Sequence, residues 1–406
     1  MIPFSPPRVD QKTIDAVTET LLSGWITTGP KTKLFEKKLA EYIGVSHVMA
    51  LNSATAGLEL MLRWFGVSEG DEVIIPAYTY CATANVITHC GAKVVFVDVN
   101  SDFNINVEEI KKNITKNTKV IMPVDIGGMP VDYDEIMDLV KQPEIQKLFS
   151  PSSENQEKLG RIMVLADAAH SIGAKYKGKY TGTQADASSF SFHAVKNLTT
   201  AEGGGVALNL PEPFENEDIY KFLCLFSLHG QSKDALAKTQ IGGWKYDIVE
   251  AGFKCNMTDI QAAIGLVELE RYEDDTLVRR REIFDMYSSK LSEYDWANVP
   301  VYETDEKISC YHVYMLRINH ASEEIRDEII KKISEKGVSV NVHFQPVPNF
   351  SFYRNQGYDA KNYPVAYKNY EQEISLPVFY NLTNEQVNTV LEAVINSVEE
   401  VLAVNA

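Results

Sequence analysis

The two segments IMVLADAAHS (162–171) and ASSFSFHAVKN (187–197) decide how this chain folds. Each begins with a short run of apolar or small residues that predicts a buried strand, and each ends in polar residues. Asp167 follows the first predicted strand directly, and Lys196 stands five residues after Ser191. Ligands of α/β sheets bind beyond the carboxyl ends of the strands, so we expect the aspartate to project into such a site.

An aspartate beyond one strand and a lysine beyond another suit the chemistry of pyridoxal phosphate (PLP). The carboxylate can keep the pyridine nitrogen protonated, while the lysine amine forms a Schiff base with the aldehyde. A free lysine amine, with a pKa of about 10.4, is a poor nucleophile at neutral pH. We therefore expect enclosure near cationic groups to lower the pKa of Lys196. The ordinary alternatives are a strand-end cap for Asp167 and a solvated surface group for Lys196.

The segment NSATAG (52–57) offers convergent hydrogen-bond donors for a phosphate. A turn of small residues that begins a helix directs free backbone N–H groups and the positive end of the helix dipole at an anion. The hydroxyls of Ser53 and Thr55 add side-chain donors. A serine before a helix is more often only an N-cap, so the phosphate hypothesis depends on Ser191 as a further donor from the lysine loop.

The aromatic ring of Tyr80 and the imidazole of His170 complete the candidate site. Tyr80, in the segment PAYTYCAT (76–83), is a candidate to stack on the flat ring of a cofactor. His170 lies three residues after Asp167. For each of them, packing in the core is the alternative interpretation.

The order of apolar and helical segments predicts an α/β fold with a mainly parallel central sheet and helices on both faces. A chain of 406 residues exceeds the range in which one core usually grows. We expect a large domain over residues 1–291, which includes a linking helix, and a smaller C-terminal α+β domain over 292–406. The predicted strands are 73–75, 94–97, 120–124, 162–166, 187–192, 205–210, 313–318 and 338–344. The predicted helices are 34–43, 55–65, 258–272 continuing to 291, 323–336 and 384–401. Residues 82–89 and 134–141 are predicted as helical or loop segments between strands. Residues 142–161 are polar and predict a surface excursion.

The composition excludes several classes of protein. The chain has 39 Lys and Arg against 56 Asp and Glu, a net charge of −17, which argues against general nucleic-acid binding. Five cysteines without C-x-x-C spacing indicate a reducing compartment and no zinc site, and we expect no other metal. The sequence shows neither a basic and apolar leader nor a long apolar run. We therefore expect a soluble cytoplasmic protein that does not bind membranes.

In this order, the motifs resemble those of the DegT/DnrJ/EryC1/StrS family of sugar aminotransferases along nearly the whole chain. The motifs that carry the resemblance are SGWITTGP (23–30), NSATAG (52–57), PAYTY (76–80), DAAHS (167–171), SFHAVKN (191–197) and GFKCNMTDIQAA (252–263). The resemblance implies a fold-type I PLP-dependent transferase, in which Lys196 carries the Schiff base and Asp167 pairs with the pyridine nitrogen.

The resemblance also implies roles for the other candidates. The implied phosphate ligands are Ser53, Ala54, Thr55 and Ser191. Tyr80 takes the position of an aromatic ring over the cofactor, and His170 that of a residue on its opposite face. Family members are homodimers with shared active sites, and the loop 252–257 reaches the neighbouring site. Lys254 is the candidate in that loop. Many relatives have Asn at this position, and some have Arg where this chain has Asn256.

Within the family, the segment WITTGP (25–30) is most similar to enzymes that aminate C4 of a nucleotide-linked 4-keto sugar. The implied reaction moves the amino group of glutamate to the keto carbon of a nucleotide-linked keto-deoxy sugar, for amino-sugar or polysaccharide biosynthesis. A dehydratase on the same fold is one alternative, but it has His in place of the Schiff-base lysine. A nicotinamide-dependent epimerase or dehydrogenase is another, but no G-x-G-x-x-G follows the first strand. A third is a non-catalytic regulator that binds a sugar nucleotide.

Overall fold

The computed structural model describes residues 1–232 and 245–405, and within them a seven-stranded sheet forms the centre of the molecule. Its strands lie in the order β1-β9-β8-β5-β4-β2-β3. The bounds are β1 (His47–Leu51), β2 (Glu72–Pro76), β3 (Lys93–Val97), β4 (Thr118–Ile121), β5 (Met163–Asp167), β8 (Ala187–Ser191) and β9 (Gly204–Leu208). All run parallel except β9, which is antiparallel to both of its neighbours. The predicted mainly parallel α/β sheet is confirmed.

Two three-stranded sheets accompany the central one in the described chain. One contains β10 (Ala297–Asn298), β12 (Tyr314–Ile318) and β13 (Glu373–Leu376), and the other β6 (Lys175–Tyr176), β7 (Lys179–Tyr180) and β11 (Lys307–Ile308). The α-helices span Gln11–Leu22, Pro30–Ile43, Ala54–Trp64, Cys81–His89, Val107–Asn113, Tyr133–Lys141, Pro143–Leu148, Glu154–Leu159, Asn216–Phe226, Asp259–Glu270, Leu277–Leu291, Glu323–Glu335, Ser351–Arg354, Pro364–Gln372 and Asn384–Asn405. In the described residues, no helix is both long and apolar enough to cross a membrane.

The buried apolar side chains of the described residues form three clusters. The largest surrounds the strands of the central sheet and also takes in C-terminal residues such as Tyr353. A second cluster joins the helix Leu277–Leu291 to β12, β13 and the helix Asn384–Asn405. The linking helix thus packs against the C-terminal elements as well. The division into domains at residue 291 stays a prediction.

Two segments differ from the sequence-based prediction. Residues 338–344 are not a strand, because Val338 bridges Ile2 while Asn341 bridges Ser375, so the segment pairs with two different neighbours. The helix predicted over 258–272 ends at Glu270 and is followed by a π-helical turn, Tyr272–Thr276. Residues 142–161, predicted as a surface excursion, contain two short helices, Pro143–Leu148 and Glu154–Leu159.

The two short helices of 142–161 are tied to the main body. Ile145 is buried, and the Gln156 side chain is fully buried and donates to the Phe65 carbonyl at 3.2 Å. The Asn155 amide donates to the Trp64 carbonyl at 2.7 Å. These bonds satisfy carbonyls at the end of the helix Ala54–Trp64, where backbone acceptors have no partner within the helix.

The helix Ala54–Trp64 begins at the carboxyl end of β1, and its first turn touches β9. Ser53 is its N-cap, and the Ser53 hydroxyl accepts a hydrogen bond from the Ala56 N–H at 3.1 Å. A Cβ atom on Gly204 would lie 2.3 Å from the Ala54 nitrogen and from the Ser53 carbonyl carbon. The close approach of these two backbones therefore requires glycine at position 204.

We expect Gly204→Ala to lower the free energy of unfolding by about 2 kcal/mol, because the added methyl group must displace the helix start. Gly205→Ala is the matched control, since its Cβ would meet its nearest atoms at 3.4 Å, an ordinary contact. Urea denaturation of both variants measures the difference. Equal destabilisation by the two substitutions would show that the approach at Gly204 is not the constraint.

Candidate active site

A cavity of about 340 Å³ lies beyond the carboxyl ends of the central strands. Its wall contains eight of the nine residues that the sequence singled out as candidates. They are Ser53, Ala54, Thr55, Tyr80, Asp167, His170, Ser191 and Lys196. Lys254 lies outside the wall formed by the described chain, and its Nζ contacts the Asn256 side chain. The structure thus brings together residues that are up to 143 positions apart, from Ser53 to Lys196 (196 − 53).

Lys196 lies in a tight turn after β8. The Lys196 N–H donates to the His193 carbonyl at 2.9 Å, and the Thr200 N–H returns the chain to the Phe192 carbonyl at 2.8 Å. Burial lowers the pKa of Lys196 to about 8, against the opposing effect of the Asp167 carboxylate. A larger fraction of this amine is therefore neutral at pH 7 than for an ordinary lysine.

Asp167 ends β5 and is almost fully buried. The Thr83 hydroxyl donates to Oδ2 at 2.7 Å, and the Ala169 N–H donates to Oδ1 at 3.2 Å. Burial raises the pKa of Asp167, while these two hydrogen bonds and the charge of Lys196 lower it. A cation bound in the cavity would offset the cost of burying this carboxylate.

His170 is buried and yet borders the cavity. The Gly127 N–H donates to His170 Nδ1 at 3.3 Å, so the neutral ring carries its proton on Nε2. Burial lowers the pKa of His170 well below its ordinary value, and the charge of Lys196 adds to this effect. The core-packing interpretation therefore holds in part, since His170 is both packed and a wall residue.

Tyr80 lies at the mouth of the cavity with 59% of its surface exposed, which contradicts the core-packing interpretation of this residue. Its ring centroid is 5.7 Å from that of Phe344. The two rings form an apolar edge beside the opening. A flat ligand entering the cavity would pass this edge.

Several residues from distant segments belong to the site although the sequence did not indicate them. His312 and His343 both line the cavity, and the ring centroids of His170 and His312 are 4.5 Å apart. Asn197, next to Lys196, accepts from His312 Nδ1 at 2.8 Å and donates to the Cys310 carbonyl at 2.7 Å. A lone histidine carries no local signal, so only the YH pair at 311–312 and the VHF run at 342–344 mark these positions.

Residues 2–5, which we call the N-terminal strap, cross the same region. Ile2 bridges Val338, and the Ser5 hydroxyl donates to the Val195 carbonyl at 3.2 Å. Phe4 stacks on His343 with a centroid separation of 5.5 Å. Phe4 and Ser5 both line the cavity, so the amino end of the chain forms part of its wall.

These residues fit PLP. The volume is within the range of small-molecule sites, and an amine and a buried carboxylate border the same space. The helix that begins at Ala54 presents N–H groups that have no partner within the helix, together with its positive dipole end, to a phosphate. The hydroxyls of Ser53, Thr55 and Ser191 border the same end. The helix start and the hydroxyls suit an anionic phosphate. The Asp167 carboxylate suits a cationic ring nitrogen, and the Lys196 amine suits an aldehyde.

Comparison with known protein families matches residues 7–150 and 152–395 to the DegT/DnrJ/EryC1/StrS aminotransferase family. The chain is 40% identical over 403 residues to the uncharacterized protein MJ1066 of Methanocaldococcus jannaschii, covering 98% of each chain. It is 35% identical over 398 residues to the spore coat polysaccharide biosynthesis protein SpsC of Bacillus subtilis, covering 97% of this chain and 96% of SpsC.

Among solved structures, the fold is similar to that of Spr1654 of Streptococcus pneumoniae, which is named as a sugar aminotransferase. The PMP-form of Spr1654 superposes with a TM-score of 0.95 at 45% identity, covering 99% of this chain and all (100%) of Spr1654. Its PLP-form superposes with a TM-score of 0.94 at 43% identity, covering 98% of this chain and 99% of Spr1654.

Proposed function

Because this chain belongs to the DegT/DnrJ/EryC1/StrS aminotransferase family and is a PLP-dependent sugar aminotransferase, we propose a specific reaction for it. The enzyme moves the amino group of glutamate to the keto carbon, C4, of a nucleotide-linked keto-deoxy sugar. The observation that supports this most is the shared cavity of Lys196 and Asp167 beside a helix start. The similarity to SpsC supports a place in polysaccharide biosynthesis.

Each candidate residue has a role in this proposal. When bound, PLP supplies an aldehyde that takes up an amino group and a ring that withdraws electrons from the attached carbon. Lys196 Nζ would hold the cofactor covalently, and its free amine would move a proton to and from the reacting carbon. Asp167 stabilises the proton on the ring nitrogen, and neutral His170 adds no competing charge on its side of the cavity.

The phosphate is bound by the start of the helix Ala54–Trp64. The N–H groups of Ala54 and Thr55 and the hydroxyls of Ser53, Thr55 and Ser191 would donate to its oxygens. Tyr80, at the mouth of the cavity, would stack on the cofactor ring.

We include a homodimer with shared active sites in the proposal. Four side chains on the segment 246–253 support it, because they are apolar and more than one third exposed on the single chain. They are Tyr246, Ile248, Val249 and Phe253. Lys254 follows directly, and we propose that it reaches the neighbouring site. Light scattering after gel filtration gives the oligomeric state, and a monomer with full activity would remove this part of the proposal.

The reaction is tested with a panel of UDP-, GDP- and dTDP-linked keto sugars, with glutamate as donor and formation of 2-oxoglutarate as the readout. NMR of the product locates the new amine, which we expect on C4. A 3-keto sugar with the same nucleotide is the matched control substrate. An amine on C3 would change the position, a product that has lost a hydroxyl would indicate a dehydratase, and binding without turnover would indicate a regulator.

The rate at which the apoenzyme captures PLP covalently is expected to rise with a midpoint near pH 8. The reason is that only the neutral amine attacks the aldehyde, and burial lowers the pKa of Lys196 to about 8. An ordinary lysine would give a midpoint near 10.4. Borohydride quenching of timed samples between pH 6 and 10, followed by peptide mass spectrometry, measures the rate. A midpoint near the ordinary value would contradict the effect of enclosure.

A further inference from the structure

Two buried hydroxyl groups lead from the cavity wall to the Asp167 carboxylate. The Thr83 hydroxyl donates to Asp167 Oδ2 at 2.7 Å, and the Thr79 hydroxyl lies 2.8 Å from that of Thr83. Both threonines are at most 1% exposed. Thr79 borders the cavity, whereas Thr83 lies in the first turn of the helix Cys81–His89 and is not part of the wall that the described residues form. We call these two side chains the threonine pair.

The hydrogen bonds of Thr83 differ from those that a threonine usually makes in a helix. A helical threonine commonly bonds the backbone carbonyl three or four residues earlier. Thr88, on the same helix, follows this rule, because its hydroxyl donates to the Ala84 carbonyl at 3.4 Å. The Thr83 hydroxyl instead contacts the side chain of Thr79 and donates to a carboxylate at the end of β5. Its proton is therefore directed at Asp167 rather than at the helix backbone.

The donors around Asp167 set the direction of this chain of hydrogen bonds. The Ala169 N–H donates to Oδ1 at 3.2 Å, so each carboxyl oxygen accepts one hydrogen bond, and this arrangement favours the ionised form. An ionised carboxylate can only accept, and a hydroxyl group has one proton to donate. Since Thr83 donates its proton to Asp167, the Thr79 hydroxyl must donate to the Thr83 oxygen.

The backbone of Asp167 is held by its own hydrogen bonds. Its N–H donates to the Pro123 carbonyl at 2.9 Å, and its carbonyl accepts from the Asp125 N–H at 3.2 Å. The motion that remains is rotation of the carboxyl group. The bonds from Thr83 and Ala169 restrict that rotation, because they hold one oxygen each.

We propose that Thr83, supported by Thr79, is a positioning residue that keeps the Asp167 carboxylate ionised and oriented toward the ring nitrogen of PLP. Thr83 touches neither cofactor nor substrate in this proposal and acts through Asp167. The inference rests on the role proposed for Asp167, and it does not depend on which sugar the enzyme accepts.

Loss of the Thr83 hydroxyl should move the proton away from the ring nitrogen for two reasons. A carboxylate held by one donor rotates more freely and aligns less well with the ring. Burial already raises the pKa of Asp167, and removal of a hydrogen bond that lowers it raises this pKa further. Asp167 then competes more strongly for the proton that it should leave on the ring.

Solid-state NMR of the enzyme loaded with PLP that carries ¹⁵N at its ring nitrogen measures this proton without any sugar. We expect the wild-type signal to be that of a protonated ring, and Thr83→Val to move it toward that of an unprotonated ring. Thr83→Ser keeps a hydroxyl and should restore the wild-type signal. Thr88→Val is the matched control on the same helix. No shift in Thr83→Val, or the same shift in Thr88→Val, would overturn the proposal.

Two further variants complete the NMR test. Thr83→Ala also removes the hydroxyl and replaces Thr83→Val if that variant does not fold. Thr79→Val should give a smaller shift in the same direction, because Thr83 keeps its proton but loses the donor that orients it. An unchanged signal in Thr79→Val would refute the part assigned to Thr79.

Asp167→Asn distinguishes failure of this inference from failure of the proposed function. We expect the signal of an unprotonated ring in Asp167→Asn, because the amide carries no negative charge. If Asp167→Asn left the signal unchanged, the role of Asp167 would be wrong, and the positioning role would fail with it. If Asp167→Asn shifted the signal and Thr83→Val did not, only the threonine pair would be refuted.

Steady-state kinetics give an independent readout. We expect kcat to fall about tenfold in Thr83→Val, the effect of one hydrogen bond to a charged group, with an unchanged KM for an accepted keto sugar. Thr83→Ser should retain most of the wild-type rate. A raised KM with an unchanged kcat in Thr83→Val would indicate a change in the substrate site and would contradict a role through Asp167.

Discussion

Lys196→Ala is expected to lose at least about 1,000-fold in transamination rate while keeping its fold, because the substitution removes the covalent anchor and the group that moves the proton. The side chain lies in a turn whose backbone hydrogen bonds do not involve Nζ, so the main chain has no reason to rearrange. PLP should still bind without a covalent bond through the phosphate donors. Borohydride reduction followed by peptide mass spectrometry should find label on Lys196 in the wild type and no label in the variant.

Lys179→Ala serves as the control for Lys196→Ala. Lys179 is an exposed lysine of β7 and does not line the cavity. We expect it to retain full activity and covalent label. Substantial turnover by Lys196→Ala would assign the chemistry to another residue.

Asp167→Asn is expected to lower kcat at least about 100-fold, because the amide keeps the shape of the side chain but not its charge. Asparagine still accepts a hydrogen bond through its oxygen, so either the Thr83 hydroxyl or the Ala169 N–H keeps a partner. PLP should remain covalently bound to Lys196. Steady-state kinetics and the covalent label measure the two effects separately.

Asp125→Asn is a matched comparison for this carboxylate. Asp125 is equally buried, but it accepts from Ser171, Tyr133 and Val131 and does not line the cavity. We therefore expect Asp125→Asn to lower the free energy of unfolding by about 1–2 kcal/mol with little loss of kcat. If Asp125→Asn lost activity and Asp167→Asn lost only stability, the assignment of Asp167 as the cofactor carboxylate would be contradicted.

The strands of the parallel core could be predicted because both of their faces are buried. Segments such as Val73–Ile75 and Ile162–Ala166 are continuous apolar runs, and that pattern appears locally in the sequence. β1 was not predicted, since His47 at its start is only half-buried and the run HVMAL is short. Its place in the sheet depends on pairing with β9, which is 157 residues away (204 − 47).

Residues 338–344 show the opposite error. The run VSVNVHF alternates apolar and polar residues, which is typical of a half-buried strand. In the structure the N-terminal strap takes the pairing position at Val338, and β13 takes the one at Asn341. The conformation of this segment therefore depends on the contact between Ile2 and Val338, which no local sequence pattern indicates.

The same reasoning explains which site residues were found. Asp167, Ser191 and Lys196 lie at strand ends or in the turn after one, so the sheet topology brings them together. His312 and His343 reach the cavity only because the C-terminal part of the chain folds back over the sheet. The sequence alone does not distinguish such histidines from histidines packed in the core, because only tertiary contacts place them at the cavity.

The N-terminal strap has a consequence for handling the enzyme. Met1 is 91% exposed, and an aminopeptidase that trimmed residues 1–5 would leave His343 without its stacking ring and Val195 without its hydroxyl partner. Such a preparation would keep Lys196, Asp167 and the colour of bound PLP, but the entrance of its cavity would be altered. Intact-mass determination of every batch is therefore a precondition for comparing rates between variants.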